Sequence, residues 1–283
     1  MGRVALTLSG VTKAHGEVMA LRGLDIEVLY TEGGASTLTP VIAGSIDIAT
    51  ASGVSAAVGT FAKGAPIRII GSEMIGAPDL YWYVPVNSPI HRIEDFNGKT
   101  VAYSLTGSSS HAALLALIAQ YKLTAKPTST GNIAATITQT MTGQVDVGFG
   151  AAPFGLDLAE DGKIRIIATG SDVASLRTRT VRVNLTSVND LQNRRDAIVR
   201  FNRAYQETVD WMYSDPAALK HYAEYSGLPE KIVLRVRELI PKESLATGRI
   251  EGMDEIMADA VAGKFIPAPL AAAQINELVQ IPK

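Results

Sequence analysis

"AGSIDIATA" (residues 43–51) and "TGQVDVGFG" (142–150) share one pattern. Each has a glycine after a helical stretch, then any residue, a β-branched residue, an aspartate, a second β-branched residue and small residues. A glycine just past a helix allows the left-handed backbone of a C-cap. The β-branched pair reads as a buried strand. The copies lie about a hundred residues apart, too far for a solenoid and suited to two similar lobes. Asp47 and Asp146 sit inside these units, where a carboxylate that accepts loop N–H groups fits better than a catalytic acid.

Outward from this echo, short apolar strands alternate with helices, the mark of parallel βα units. "VALTL", "LDIEVLYT", "IDIAT" and "IRIIGS" read as strands of a first half. A short helix is expected over "KAHGEVMALRG" and two more over "LTPVIAG" and "GVSAAVGTFAKG". "LYWYVPVNSPI", "KTVAYS", "QVDVGFG" and "IRIIATG" follow as strands, with helices from Ser108 to Leu123 and over "GNIAATITQTMTG". "TVRVNLT" adds one more strand. From Val188 onward, four stretches carry the apolar period of amphipathic helices.

The chain has 283 residues, 47% hydrophobic and 19% charged, with a formal net charge of -2. That is ordinary globular composition. There is no basic stripe and aromatic residues are sparse, so nucleic acid is not an expected partner. No apolar run reaches the roughly 20 residues of a membrane span. The absence of cysteine excludes disulfides and thiolate chemistry. No His and carboxylate spacing suits a metal, and no glycine-rich phosphate motif or Walker lysine is present. No metal and no cofactor are expected.

Chemistry concentrates at strand-to-helix turns, where helix N-termini offer unpaired N–H donors and partial positive charge. "SLTGSSSH" (104–111) is the densest of these. A helix start needs one capping hydroxyl, yet Thr106, Ser108, Ser109 and Ser110 crowd this one. Either one caps and the rest are solvated, or the group binds an anion without Lys or Arg. His111 follows directly. Other such turns hold Ser9, Gly10 and His15, then Gly34 and Ala35 in "EGGAST", and Asn132 in "TGNIA".

Four stretches carry a family resemblance: "GLDIEVLYTEGGASTLTPVIAGSIDIA" (23–49), "KGAPIRIIGS" (63–72), "VPVNSPIHRIEDFNGKTVAYSLTGSSSH" (84–111) and "GQVDVGFGAAP" (143–153). In order and spacing they resemble periplasmic solute-binding proteins of ABC transporters, in the nitrate/sulfonate/taurine group that also includes pyrimidine-precursor binders. The resemblance implies a type II periplasmic-binding-protein fold, α/β, with two Rossmann-like lobes, a hinge and an interlobe ligand cleft. Crossings fall near Tyr83–Val86 and Val181–Leu185, giving lobe I as 1–84 and 186–283 and lobe II as 85–185. It also implies that the serines hold a small organic anion, a sulfonate or a carboxylate. Where the family often carries an aromatic and an acid before Pro153, this chain has Ala151 and Ala152, which widens the pocket and makes it more apolar. The expected ligand set is Ser9, Gly10, His15, Gly34, Ala35, Ser52, Tyr81, Thr106, Ser108, Ser109, Ser110, His111, Asn132, Phe149, Ala151 and Phe154.

The implied partners are that anion and a membrane permease. The chain is expected to be a periplasmic or extracytoplasmic monomer whose leader peptide is absent from this sequence. Two alternatives remain. One is an enzyme on the same fold, such as a menaquinone-pathway-type lyase using His15 or His111. The other is a ligand-sensing domain. No Ser–His–Asp set is identifiable around Ser9, Ser52 or Ser108, and no catalytic residue is expected.

Overall fold

A computed structural model describes the backbone of residues 5–8, 14–15, 18–19, 26–29, 31 and 34–283, and the side chains of 28, 29, 31 and 36–283. The first strands are β1 (Ala5–Leu8), β2 (Ala14–His15), β3 (Val18–Met19) and β4 (Ile26–Leu29). The helix expected over "KAHGEVMALRG" lies partly outside the described residues. Within them, β2 and β3 pair antiparallel, Ala14 opposite Met19. Gly16 and β-branched Val18 are both poor helix formers, and the sequence around them favours the extended form. β1 and β4 also pair antiparallel. The parallel pairing expected for βα units needs a crossover helix between the strands, and the described residues hold none there.

The echo is real in three dimensions. Helix α1 (Leu38–Ile42) leads through Gly44 to β5 (Ile48–Gly53). After α2 (Val54–Ala62), β6 (Ile67–Ile75), β7 (Leu80–Pro85), β8 (Thr100–Tyr103), α3 (Ser109–Tyr121) and β9 (Lys126–Ser129), the motif recurs. Helix α4 (Ile133–Met141) leads through Gly143 to β10 (Gly148–Ala151). Gly44 and Gly143 have φ of +71° and +75°. A Cβ at either would meet nothing within 4 Å, so glycine is there for its backbone freedom alone.

The remaining elements are α5 (Leu156–Glu160), β11 (Ile164–Thr169), β12 (Thr180–Ser187), α6 (Val188–Asn193), α7 (Arg195–Ser214), α8 (Pro216–Ser226), α9 (Glu230–Leu239), α10 (Met253–Ala262) and α11 (Ala272–Leu278). One sheet runs β5-β12-β6 and another β10-β7-β11, each with its central strand antiparallel to both neighbours. A parallel bridge between Val101 and Val147 continues the second sheet into the parallel pair β8 and β9. The central strands are exchanged. β7 enters the second sheet straight from β6 of the first, and β12 returns from β11 of the second to the middle of the first. The chain therefore crosses at 76–79 and 170–179, ahead of the expected positions near Val84 and Asn184. The aromatic run Tyr81–Tyr83 reads as the crossing, but it already sits inside the second sheet. The turn before it, Gly76 to Asp79, carries the chain across.

Each sheet has its own core. Val183 and Leu185 of β12 join Ile67, Ile69, Ile256 and Met257 around the first. Trp82 and Val84 of β7 join Val101, Leu114, Leu117 and Phe149 around the second. Trp82 also donates its indole N–H to the Ala102 carbonyl at 3.0 Å, tying β7 to β8. Helix α9 lies on the second sheet, where Ile232 is buried with Tyr81, Tyr83 and Ile164.

The crossings are held against each other. Arg182 of β12 gives Nε to Glu73 at 2.7 Å and a terminal nitrogen to Asp79 at 2.8 Å. All three side chains are nearly dry. Burial alone pulls the guanidinium's pKa down, and the charges of Asp79 and Glu73 more than reverse this. The Gly76 N–H donates to the Arg179 carbonyl at 2.9 Å. A Cβ at Gly170 would come 2.0 Å from the Ala77 carbonyl oxygen, so the two crossings touch where only glycine fits. Removing one partner of a buried ion cluster strands the others' charge. Arg182→Met should therefore cost about 3–5 kcal/mol in urea unfolding. Arg92→Met, which removes only exposed pairs with Glu94 and Asp95, should cost under about 1 kcal/mol. Equal, small losses in both variants would contradict the pinning role.

Candidate functional site

Two helix N-termini from different sheets meet at one seam. Helix α2 starts at Gly53, which has no capping side chain. Helix α3 starts at Ser108, whose hydroxyl accepts the His111 N–H at 3.2 Å. Gly53 stands so close to the other turn that a Cβ there would lie 2.3 Å from the Gly107 carbonyl oxygen. Gly107, at φ +89°, has Phe265 and Ala56 against its own Cβ position. Between the turns is a cavity of about 10 Å³, lined by Gly53, Ser55, Ser108, Arg179, Thr180 and Asp259 among others. That is room for about one water. Arg179 comes from the second crossing and pairs with Asp259 of α10 at 2.6 Å.

The serine surplus has a partly internal use. The hydroxyls of Ser104, Ser108 and Ser110 form a buried triangle with edges of 2.9, 2.9 and 3.0 Å. Ser110 also accepts the Ser104 N–H at 3.0 Å. Ser104 was not among the expected residues, although it opens the "SLTGSSSH" run. Ser109 is half-buried and Thr106 exposed, and neither side chain hydrogen-bonds to a described residue. Asn132 caps α4 by accepting the Ala135 N–H at 2.8 Å. Its turn is joined to the serines, since the Ser129 hydroxyl and the Gly131 N–H both donate to the Ser104 carbonyl.

His111, in the first turn of α3, packs against aromatic rings. Its ring centroid lies 4.3 Å from that of Tyr103 and 6.5 Å from that of Phe265, and Nδ1 accepts the Gly107 N–H at 3.4 Å. Burial lowers its pKa from the ordinary value. Ser52, fully buried before Gly53, shares a 2.5 Å hydrogen bond with Thr37. Ala51 beside it has φ +58°, the left-handed region that non-glycine residues rarely adopt.

Other expected residues lie elsewhere. Phe149 is a core residue. Tyr81 is buried with Tyr83 and donates to the Phe154 carbonyl at 2.5 Å. Burial raises the Tyr81 pKa, and it pushes that of Tyr83 up to about 12. Phe154 is exposed and Ala151 half-buried. Core packing thus takes Phe149 and Tyr81, two of the rings that were expected to offer faces to a ligand. His15, Gly34 and Ala35 are described in backbone only, and Ser9 and Gly10 lie outside the described residues. Asp146 fills the structural role expected of it, accepting the Thr100 N–H and hydroxyl at 2.8 and 2.7 Å. Asp47 pairs with Arg194 at 2.5 Å. Sequence reading missed Gly53, Ser55, Arg179 and Thr180. "TASGVSAA" carries a signal for the first two, a strand ending in small residues and glycine before a helix.

A family model described as NMT1/THI5 like matches residues 20–219. The chain belongs to the NMT1/THI5-like family. Among solved structures, this family member is similar to the alkanesulfonate-binding protein SsuA from Xanthomonas axonopodis pv. citri bound to MOPS. The identity is 22%, the TM-score 0.72, and the match covers 89% of this chain and 86% of that one. The periplasmic aliphatic sulphonate binding protein SsuA from Escherichia coli matches at 21% identity and TM-score 0.68, over 89% and 80% of the two chains. The periplasmic nitrate-binding protein NrtA from Synechocystis PCC 6803 matches at 11% and 0.70, over 90% and 78%. No protein of curated function matches in sequence. At these identities the likeness establishes a shared fold, the mixed α/β fold of periplasmic binding proteins. No helix among the described residues is long and apolar enough to cross a membrane, and no group of three or more His, Asp or Glu there could hold a metal.

The His111 shift sets a pH window. A His pKa depressed by folding adds stability above the unfolded value of about 6.5 and loses it as pH falls through the folded value. The thermal midpoint of wild type should drop between pH 7.5 and 5.0 by more than that of His111→Gln. An equal drop in both would contradict a buried, neutral His111.

Proposed function

We propose that this NMT1/THI5-like protein is the extracytoplasmic solute-binding component of an ABC importer and closes two lobes on a small organic anion. The carrying observation is the convergence of α2, α3 and Arg179 on one seam. Two helix N-termini present N–H donors and partial positive charge to the same point. Arg179, paired with Asp259 at 2.6 Å, adds guanidinium donors, and the hydroxyls of Ser55 and Thr180 line the same cavity. The solved relatives whose printed names mention sulfonate and nitrate support an anion, and a sulfonate or carboxylate head fits this donor set.

In this reading the two sheets organise the two lobes, and the crossings at 76–79 and 170–179 are the hinge. The seam has room for about one water in its closed form, so the solute enters an open form and draws the halves together. Contacts made with both sides shift that equilibrium. The closed form is the one presented to a membrane permease, and the protein works as a monomer outside the cytoplasm. The reading is not enzymatic. His111 has Nδ1 on the Gly107 N–H and its ring on Tyr103, a packing role rather than that of a base.

Calorimetric titration with alkanesulfonates, aliphatic and aromatic carboxylates and neutral amides tests this. One sulfonate or carboxylate should bind per chain, and the amides should not. Hydrogen bonds to charged groups are worth about 1.5–3 kcal/mol, so Arg179→Gln should weaken the preferred anion roughly ten- to two-hundredfold. Tightest binding by a neutral amide, or unchanged affinity in Arg179→Gln, would contradict the proposal.

A further inference from the structure

Helices α7, α8 and α9 border a second cavity. It measures about 460 Å³ and opens to the surface. That is within the range of about 300–1,000 Å³ typical of small-molecule sites, and those sites are mostly apolar with a few placed polar groups. Its walls have that character. Phe201, Tyr205 and Val209 come from α7, Val233 and Val236 from α9, and Leu245 from the 3-10 turn after α9.

Two polar groups in the lining are unspent. Arg237 makes no ion pair or hydrogen bond with any described residue, and the Tyr213 hydroxyl feels both its charge and that of Glu243. The Tyr205 hydroxyl also has no hydrogen-bond partner among the described residues. Its electrostatic neighbours are Glu73 and Arg182, the buried pair at the crossings. Tyr213, by contrast, is committed, donating to the Ile240 carbonyl. Among the described residues, then, the apolar lining holds a guanidinium and a hydroxyl, Arg237 and Tyr205, without hydrogen-bond partners.

We propose that this cavity is a second ligand site, distinct from the seam, for an amphipathic carboxylate with an apolar body of medium-chain acyl size. The apolar body occupies the space between α7 and α9, and the carboxylate pairs with Arg237. The concave shape and the volume suit a small molecule rather than a protein surface. The inference does not depend on the reading of the seam.

Sub-millimolar decanoate is the probe, with decanol as its neutral match, titrated calorimetrically into the intact chain. Decanoate should bind the cavity at one equivalent, beyond any held at the seam, and more tightly than decanol. Ala204→Trp puts an indole into the cavity wall and should abolish decanoate binding. Arg237→Gln should weaken decanoate about tenfold, equivalent to about 1.4 kcal/mol, and erase its advantage over decanol. Arg179→Gln, at the seam, should leave the cavity's one equivalent of decanoate unchanged, whatever it does to carboxylate held at the seam. Circular dichroism checks that Ala204→Trp folds; if it does not, the half-exposed Arg237 still decides the matter. No decanoate binding, full binding by folded Ala204→Trp, unchanged affinity in Arg237→Gln, or loss of the cavity's equivalent in Arg179→Gln would each overturn the proposal.

Discussion

Arg182 lies on the strand that returns the chain from the second sheet to the middle of the first, and it holds Glu73 and Asp79 within 2.8 Å. The three residues come from the end of β6, the first crossing and β12. A buried guanidinium between two carboxylates is stable only with all its partners in place, so the cluster fixes how the crossings lie against each other. The backbone contact of Gly170 with Ala77 and the hydrogen bond from Gly76 to Arg179 work in the same place. Because each crossing delivers the central strand of the opposite sheet, a shift here would move both β7 and β12. The register of both cores follows from one charged knot.

The same knot sets the seam. Arg179 and Thr180 stand at the start of β12 and line the cavity between α2 and α3. Arg179 is thereby aimed at the point where two helix N-termini arrive. Backbone N–H donors from two helix starts and the Arg179–Asp259 pair thus come to one cavity from separate segments. Glycine at 53 and 107 lets the backbones meet without side chains between them. The hydroxyl triangle of Ser104, Ser108 and Ser110 stiffens one side, which leaves Ser109 as the serine of that run with a spare hydroxyl.

Much of this was legible in the sequence. The paired glycines before β5 and β10 gave the two-unit organisation, because a helix end that needs positive φ leaves a visible residue. The amphipathic helices α7 to α10 were legible from their period. Helices α6 and α11 were not, since six and seven residues are too few to show one. The crossings were misplaced because an aromatic strand has the same alternation in either sheet, and only pairing partners distinguish them. In the site, Ser108 was legible as a cap. The shared use of Ser104 and Ser110 was not, because a serine that bonds another serine looks like one that awaits a ligand. Arg179 was hidden for a related reason: its partners Asp259 and the α2 turn are distant in sequence. Phe149 and Tyr81 show the reverse error, where ring chemistry suggested a pocket and packing claimed the residues.

Closure of two halves about the Arg182 knot, on an anion, is the central claim. Helices α1 and α4 are the equivalent helices of the echo, and Thr39 and Thr138 are exposed on them. The chain has no cysteine, so Thr39→Cys with Thr138→Cys allows clean spin labelling for double electron–electron resonance. The account predicts a broad or longer distance distribution without ligand. Saturation with the sulfonate or carboxylate that calorimetry selects should collapse it to a single shorter distance. An identical distribution with and without a ligand already shown to bind would contradict it.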